Sequence, residues 1–265
     1  MEGTPLVRYD PNFPDHILCP IPRYLTRRVA GGIFYDLVNA PNFDNSFGTS
    51  FHAYTGEVIG MICPPPRFTA WAEEPYHVGR QKKHGVDWIL SDNTGHLFFE
   101  CKTKRLTLDA KTLADPVALQ NDIATMAKAV VQHYQNIRDA LKGKTKWVPD
   151  GLPVFPLVLT LEDWLIFSPQ VDKALNEEVR ALMAKVGVPP RFLVDMPYTI
   201  ASVHEFEIAG QIVAQVGVCE VMRGKTEGER RRWSLLPFLY SEFSEEMRHV
   251  NWRLFDGKWK HGPAR

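Results

Sequence analysis

The sequence has no apolar run approaching the roughly 18–20 residues that cross a bilayer. Its first sixteen residues carry acids and prolines in place of an apolar signal core. A cytoplasmic protein with no membrane contact is therefore expected. The formal net charge is zero, with 31 basic residues against 31 acidic ones. The total gives no sign of a strongly basic nucleic-acid binder, so any such role rests on where the charges sit. There are only four cysteines, Cys19, Cys63, Cys101 and Cys219, with no CxxC pair and no nearby Cys/His set. That argues against a zinc site and for reduced, mostly buried thiols. The nine histidines show no metal-ligand spacing, and there is neither an internal repeat nor a low-complexity tract.

What is present is a globular composition, 45% hydrophobic and 23% charged, over 265 residues. No linker is evident, so a single domain over 1–265 is expected. Its core would span about 45–165, with 1–44 and 166–265 packed as extensions. A helix is expected over 21–40. A second is expected over 45–61, where Phe47, Phe51, Tyr54, Val58 and Met61 recur three or four apart. Cys63-Pro64-Pro65-Pro66 ends it. A strand with loops follows over 68–78.

Residues 86–90 and 96–102 are short aliphatic and aromatic runs on either side of Asp92-Asn93-Thr94-Gly95, a hairpin signal. Asp115-Pro116 opens a long helix over 117–141, and Gly143 lies past its end. Residues 154–161 suggest a buried strand, 171–186 a helix stopped by Gly187, and 199–206 another strand. Residues 208–221 fit either a helix or a strand. Arg230-Arg231-Arg232 precedes an apolar helical tail. This order points to an α/β (α+β) fold, with a mixed β-sheet flanked by helices and helical N- and C-terminal additions.

The chemistry concentrates in the hairpin. Side chains alternate along a strand, so Glu100 and Lys102 share one face while Leu97, Phe99 and Cys101 share the other. An acid and a base inside an apolar strand are costly unless paired or bound to something. If Asn93-Thr94 is a two-residue loop, partners sum to 187 and Asp87 lies opposite Glu100, with Cβ atoms roughly 5 Å apart. Two facing carboxylates are tolerated when a cation sits between them, and oxygen ligands favour magnesium or manganese. Lys102 would then stand beside the ion. A type I turn with Gly95 in a bulge is the other reading; it would place Asp87 opposite Cys101. A surface salt bridge on an edge hairpin is the bland alternative, and flanking Trp88, Ile89, Phe98 and Phe99 argue against it.

Asp87, a twelve-residue gap and then Glu100-Cys101-Lys102 resembles the motif of the PD-(D/E)xK nuclease superfamily. The resemblance covers roughly 45–161. It implies a restriction-endonuclease-like mixed sheet and divalent-metal-dependent hydrolysis of phosphodiester bonds, usually in DNA. It also implies that Asp87, Glu100 and the Cys101 carbonyl hold Mg2+ (or Mn2+), and that Lys102 is the catalytic lysine. Two positions depart from the pattern. Val86 replaces the proline, and His52 stands where the preceding helix would carry glutamate. Glu57 is the nearest substitute and is taken as a fourth catalytic residue; Glu73 and Glu74 are further candidates.

Lys82 and Lys83 before the hairpin, Lys104 and Arg105 after it, and Gln132 on the following helix are the candidate nucleic-acid contacts. Tyr134 suits the core, and Arg230–Arg232 and Glu162-Asp163 suit solvated loops. The expected function is a magnesium-dependent nuclease acting on DNA, acting as a homodimer or with a partner subunit. Mobile-element and anti-phage systems use nucleases of this size and fold. A non-catalytic nucleic-acid- or protein-binding module, and a nuclease for RNA or branched DNA, are the alternatives.

Overall fold

The computed structural model describes residues 6–22, 25, 37, 40–72, 74–106, 115–164 and 168–256. They fall into two compact units, 1–49 and 50–265. In the first unit β1 (Val7–Arg8) and β2 (Ile17–Leu18) pair antiparallel, with Val7 opposite Leu18. The helix expected over 21–40 lies almost wholly outside the described residues. Helix α1 (Phe43–Ile62) starts in this unit and runs into the second.

The second unit is organised by hairpins followed by crossovers. Strand β3 (Thr69–Ala72) comes first. A separate small hairpin, β4 (Tyr76–Val78) and β5 (Gln81–Lys83), comes next. Strands β6 (Trp88–Ser91) and β7 (His96–Lys102) form the main hairpin. Helix α2 (Pro116–Leu141) crosses to β8 (Val154–Thr160). Helices α3 (Pro169–Val186) and α4 (Phe192–Asp195) then lead to β9 (Thr199–Ser202). The sheet order is β3-β6-β7-β8-β9. Its β3-β6-β7 half is antiparallel and its β7-β8-β9 half parallel, so the sheet is mixed. Parallel neighbours need long crossovers, and the helices between them meet that need. Past β9 come α5 (Val203–Val216), α6 (Val218–Thr226) and α7 (Leu235–Glu242).

Local sequence accounts for most boundaries. Asp115 caps α2 by accepting the Val117 N–H at 2.8 Å, with Pro116 in the first turn. Gly187, at φ 65°, ends α3 in the left-handed conformation. The segment expected as a strand over 199–206 divides at Ser202. Ser202 and Glu205 form a reciprocal capping box that starts α5 where the strand would otherwise continue. The 208–221 ambiguity resolves to helix, interrupted at Gly217.

The two sheet faces carry two cores. On one, Leu97, Phe99, Leu157 and Leu159 join Val58 and Ile59 of α1, Phe206 and Ile212 of α5, and Phe238 of α7. On the other, Ile89, Phe98 and Val158 join Met126, Val130 and Ile137 of α2 and Val179 of α3. Phe98 and Phe99 are both fully buried, on opposite faces, each stabilising by about 1.5–3 kcal/mol. The hairpin is therefore interior. Strand β9 and helices α5 to α7 complete the first of these cores. No helix among the described residues is long and apolar enough to cross a membrane.

Candidate active site

The turn decides the register. Asp92 Oδ1 accepts the N–H groups of Thr94 (2.8 Å) and Gly95 (3.0 Å), and the Asp92 N–H donates to the Gly95 carbonyl. That closes a two-residue loop, and the ladder pairs Trp88 with Phe99 through Ser91 with His96, each pair summing to 187. The same carboxylate reaches across the fold, its Oδ2 accepting the Val218 N–H at the start of α6 at 2.9 Å.

The ladder stops one residue short of Asp87. The Asp87 N–H donates to the Phe99 carbonyl at 3.0 Å, although Phe99 is the partner of Trp88. Asp87 and Trp88 thus both face Phe99, a bulge that lets the Asp87 side chain turn. Its Oδ2 accepts the Cys101 N–H at 2.5 Å. The expected face-to-face pair of Asp87 and Glu100 is in this way replaced by a side-chain extension of the ladder.

Glu100 keeps the face that alternation gave it, toward α2, and is 3% exposed. Its Oε1 lies 2.7 Å from Lys102 Nζ. Its Oε2 lies 3.7 Å from His133 Nδ1. On the opposite face the Cys101 thiol meets Thr55 Oγ1 of α1 at 3.5 Å. The His52 ring stacks on Trp88, with centroids 5.2 Å apart, and its Nε2 lies 3.1 Å from the Asp87 carbonyl. A carbonyl only accepts, so that nitrogen carries the proton. The Trp88 indole N–H returns a bond to the His52 carbonyl at 3.0 Å. Gly56 permits this contact, because a Cβ there would stand 2.2 Å from Trp88 Cζ2.

The electrostatics follow from burial among like and unlike charges. Burial pushes the Asp87 carboxyl above its ordinary range, and the Cys101 N–H, Lys102 and His52 only partly offset it. Burial pulls Lys102 down, but Glu100 and Asp87 outweigh it and hold the ammonium above its usual value. Burial also raises the Cys101 thiol, and Asp87 adds to that. His133 is 1% exposed, and burial lowers it to about 3, with the Lys102 charge acting in the same direction. It is a neutral ring whose Nε2–H donates to the Phe98 carbonyl at 3.0 Å.

Asp87, Glu100, Cys101 and Lys102 therefore converge at one end of β7. The other expected residues do not join them. Glu57 is exposed and lies about 140° round α1 from His52 at roughly 100° per residue, on the side of Tyr54, whose hydroxyl feels its charge. Glu73 lies outside the described residues, and Glu74 pairs with Lys146. Lys82 is exposed on β5. Lys83 is drawn to the buried Asp139 at 3.2 Å, beside Tyr76 and Lys144. Arg105 pairs with Glu162 at 2.7 Å, and its side chain is only 11% exposed. Lys104 stays half in solvent, 4.0 Å from Asp122. Tyr134 is core, its hydroxyl donating to the Met196 carbonyl.

Gln132 is exposed, and its neighbour His133 turns toward Glu100. His133 follows Met126 and Val130 and precedes Ile137 at helical spacing, on the buried stripe, which is the sequence signal that places it facing the sheet. No protein-family model matches the sequence, and no curated protein matches it.

Proposed function

We propose that the chain is a divalent-metal-dependent nuclease that hydrolyses phosphodiester bonds in DNA, on a restriction-endonuclease-like form of the mixed sheet. The reading is carried by one observation: two carboxylates and a charged lysine gather at the end of β7, inside an otherwise apolar sheet. Asp87, Glu100 and the Cys101 carbonyl are hard oxygen donors, the kind that magnesium and manganese take. Among the described residues, no three His, Cys, Asp or Glu groups stand as a ready cluster.

Asp87, Glu100 and the Cys101 carbonyl would hold the ion, and when bound it would supply Lewis-acid polarisation of a phosphoryl oxygen. Lys102 is protonated, because Glu100 and Asp87 favour its charge. It serves as an electrostatic group, presenting N–H donors where negative charge accumulates in the transition state. Glu100 orients it through their 2.7 Å contact. The bulge at Asp87 aims that carboxylate along β7, and the stack of His52 on Trp88 braces the bulge from α1.

Purified protein should nick plasmid or cut linear DNA when magnesium or manganese is added, and chelation should stop it. Lys102→Ala should lower the rate about 10²–10³-fold, the loss typical of one charge-stabilising donor. Undiminished cleavage by Lys102→Ala and Asp87→Ala would sink the assignment. A binding-only module is the second reading. It is favoured by the contacts of Lys102 with Glu100 and of Asp87 with Cys101, which engage these groups without an ion. Calorimetry with magnesium separates the two, since the module needs no metal.

A further inference from the structure

His133 is the group at the site that the proposed reaction leaves unused. Its ring is 1% exposed. The Phe98 carbonyl, 3.0 Å from Nε2, can only accept, so it fixes the tautomer with the proton on Nε2. Nδ1 is left with a bare lone pair, buried and without a hydrogen bond. That lone pair faces Glu100 Oε2 at 3.7 Å. Leaving a buried acceptor such as Nδ1 unmet costs about 1–3 kcal/mol. A cation held at Nδ1 beside the carboxylate removes that cost. A separation of 3.7 Å is within reach of two metal–ligand bonds of about 2.0–2.2 Å. Histidine ligands to metals characteristically give their other ring N–H to a carbonyl or carboxylate, as Nε2 does here.

We infer that His133 is a metal ligand alongside Glu100, and that the site prefers manganese or another borderline divalent ion to magnesium. The inference rests on the metal-dependent reading above and refines it. Imidazole nitrogen binds magnesium poorly and first-row transition ions well. A set of carboxylates, one carbonyl and one imidazole is therefore biased toward Mn2+, where an all-oxygen set would not be. His52 is a different case, because its Nε2 carries a proton directed at the Asp87 carbonyl.

The test is pulsed electron paramagnetic resonance of the full chain loaded with Mn2+ alone, read beside the Mn2+ and Mg2+ dissociation constants. The unsubstituted protein should bind Mn2+ with nitrogen modulation, and incorporating 15N-histidine should change that modulation without altering any side chain. His133→Gln, whose amide can still donate to the Phe98 carbonyl, should lose the modulation. It should also weaken Mn2+ about tenfold, leaving Mg2+ nearly unchanged. His52→Gln should keep the modulation. Bound Mn2+ without histidine modulation, or modulation that survives in His133→Gln or disappears in His52→Gln, overturns the role of His133 alone. Failure to bind Mn2+ or Mg2+ at all overturns both this inference and the proposed nuclease.

Discussion

Asp87 carries two roles that a single substitution can separate. Its carboxylate accepts the Cys101 N–H at 2.5 Å, and in the proposed reaction it also holds the metal. Asp87→Asn keeps an oxygen that can accept from Cys101 and removes a charge that burial disfavours. Asp87→Ala leaves the Cys101 N–H with no side-chain acceptor, which costs about 1–3 kcal/mol. At pH 7 the asparagine variant should therefore match or exceed the parent in stability by up to about 1 kcal/mol, while the alanine variant falls below it.

The sign with pH follows from the raised carboxyl. Its stabilising contribution is complete below the unfolded value near 3.9 and is lost as pH rises through the higher folded value. The advantage of Asp87→Asn over the parent should thus grow from acid toward neutral pH. Urea unfolding followed by tryptophan fluorescence measures this, and magnesium-dependent cleavage should be lost in both variants. Equal destabilisation by asparagine and alanine would refute the structural half of the reasoning; cleavage retained by Asp87→Asn would refute the functional half.

Asp139 should show the opposite pH behaviour. Burial works against its ionisation, but Lys144, Tyr76 and Lys83 outweigh it and hold the carboxyl below its ordinary range. Its contribution is present above about pH 3.9 and is lost as pH falls through the lower folded value. Asp139→Ala should cost about 2–4 kcal/mol in denaturant titration at pH 7, a penalty that shrinks in acid. Gly56→Ala should displace Trp88, since the new Cβ would lie 2.2 Å from the indole. A loss of about 1–3 kcal/mol and a shift in tryptophan emission are expected, with cleavage lowered because Trp88 adjoins Asp87.

The hairpin was legible from 86–102, because an Asx-type turn and apolar alternation act between near neighbours; of the two registers left open, the two-residue loop is the one that forms. The start of α2 and the stop of α3 were legible for the same reason: Asp115-Pro116 and Gly187 act on their own backbone. The convergence of Asp87, Glu100, Cys101 and Lys102 needed no partner beyond the hairpin itself.

What tertiary structure decided lies at longer range. A helix turns roughly 100° per residue, so whether Gln132 or His133 faces Glu100 depends on how α2 settles on the sheet. Lys83 and Arg105 looked like phosphate contacts because their acids, Asp139 and Glu162, stand more than fifty residues further along the chain. The same holds for β9, a strand only when β8 supplies its ladder, with the Ser202 box then turning the chain into α5. The bulge at Asp87 is the case between the two. Its hydrogen bonds are local to the hairpin, yet the room for Trp88 beside it exists because α1 presents Gly56 there.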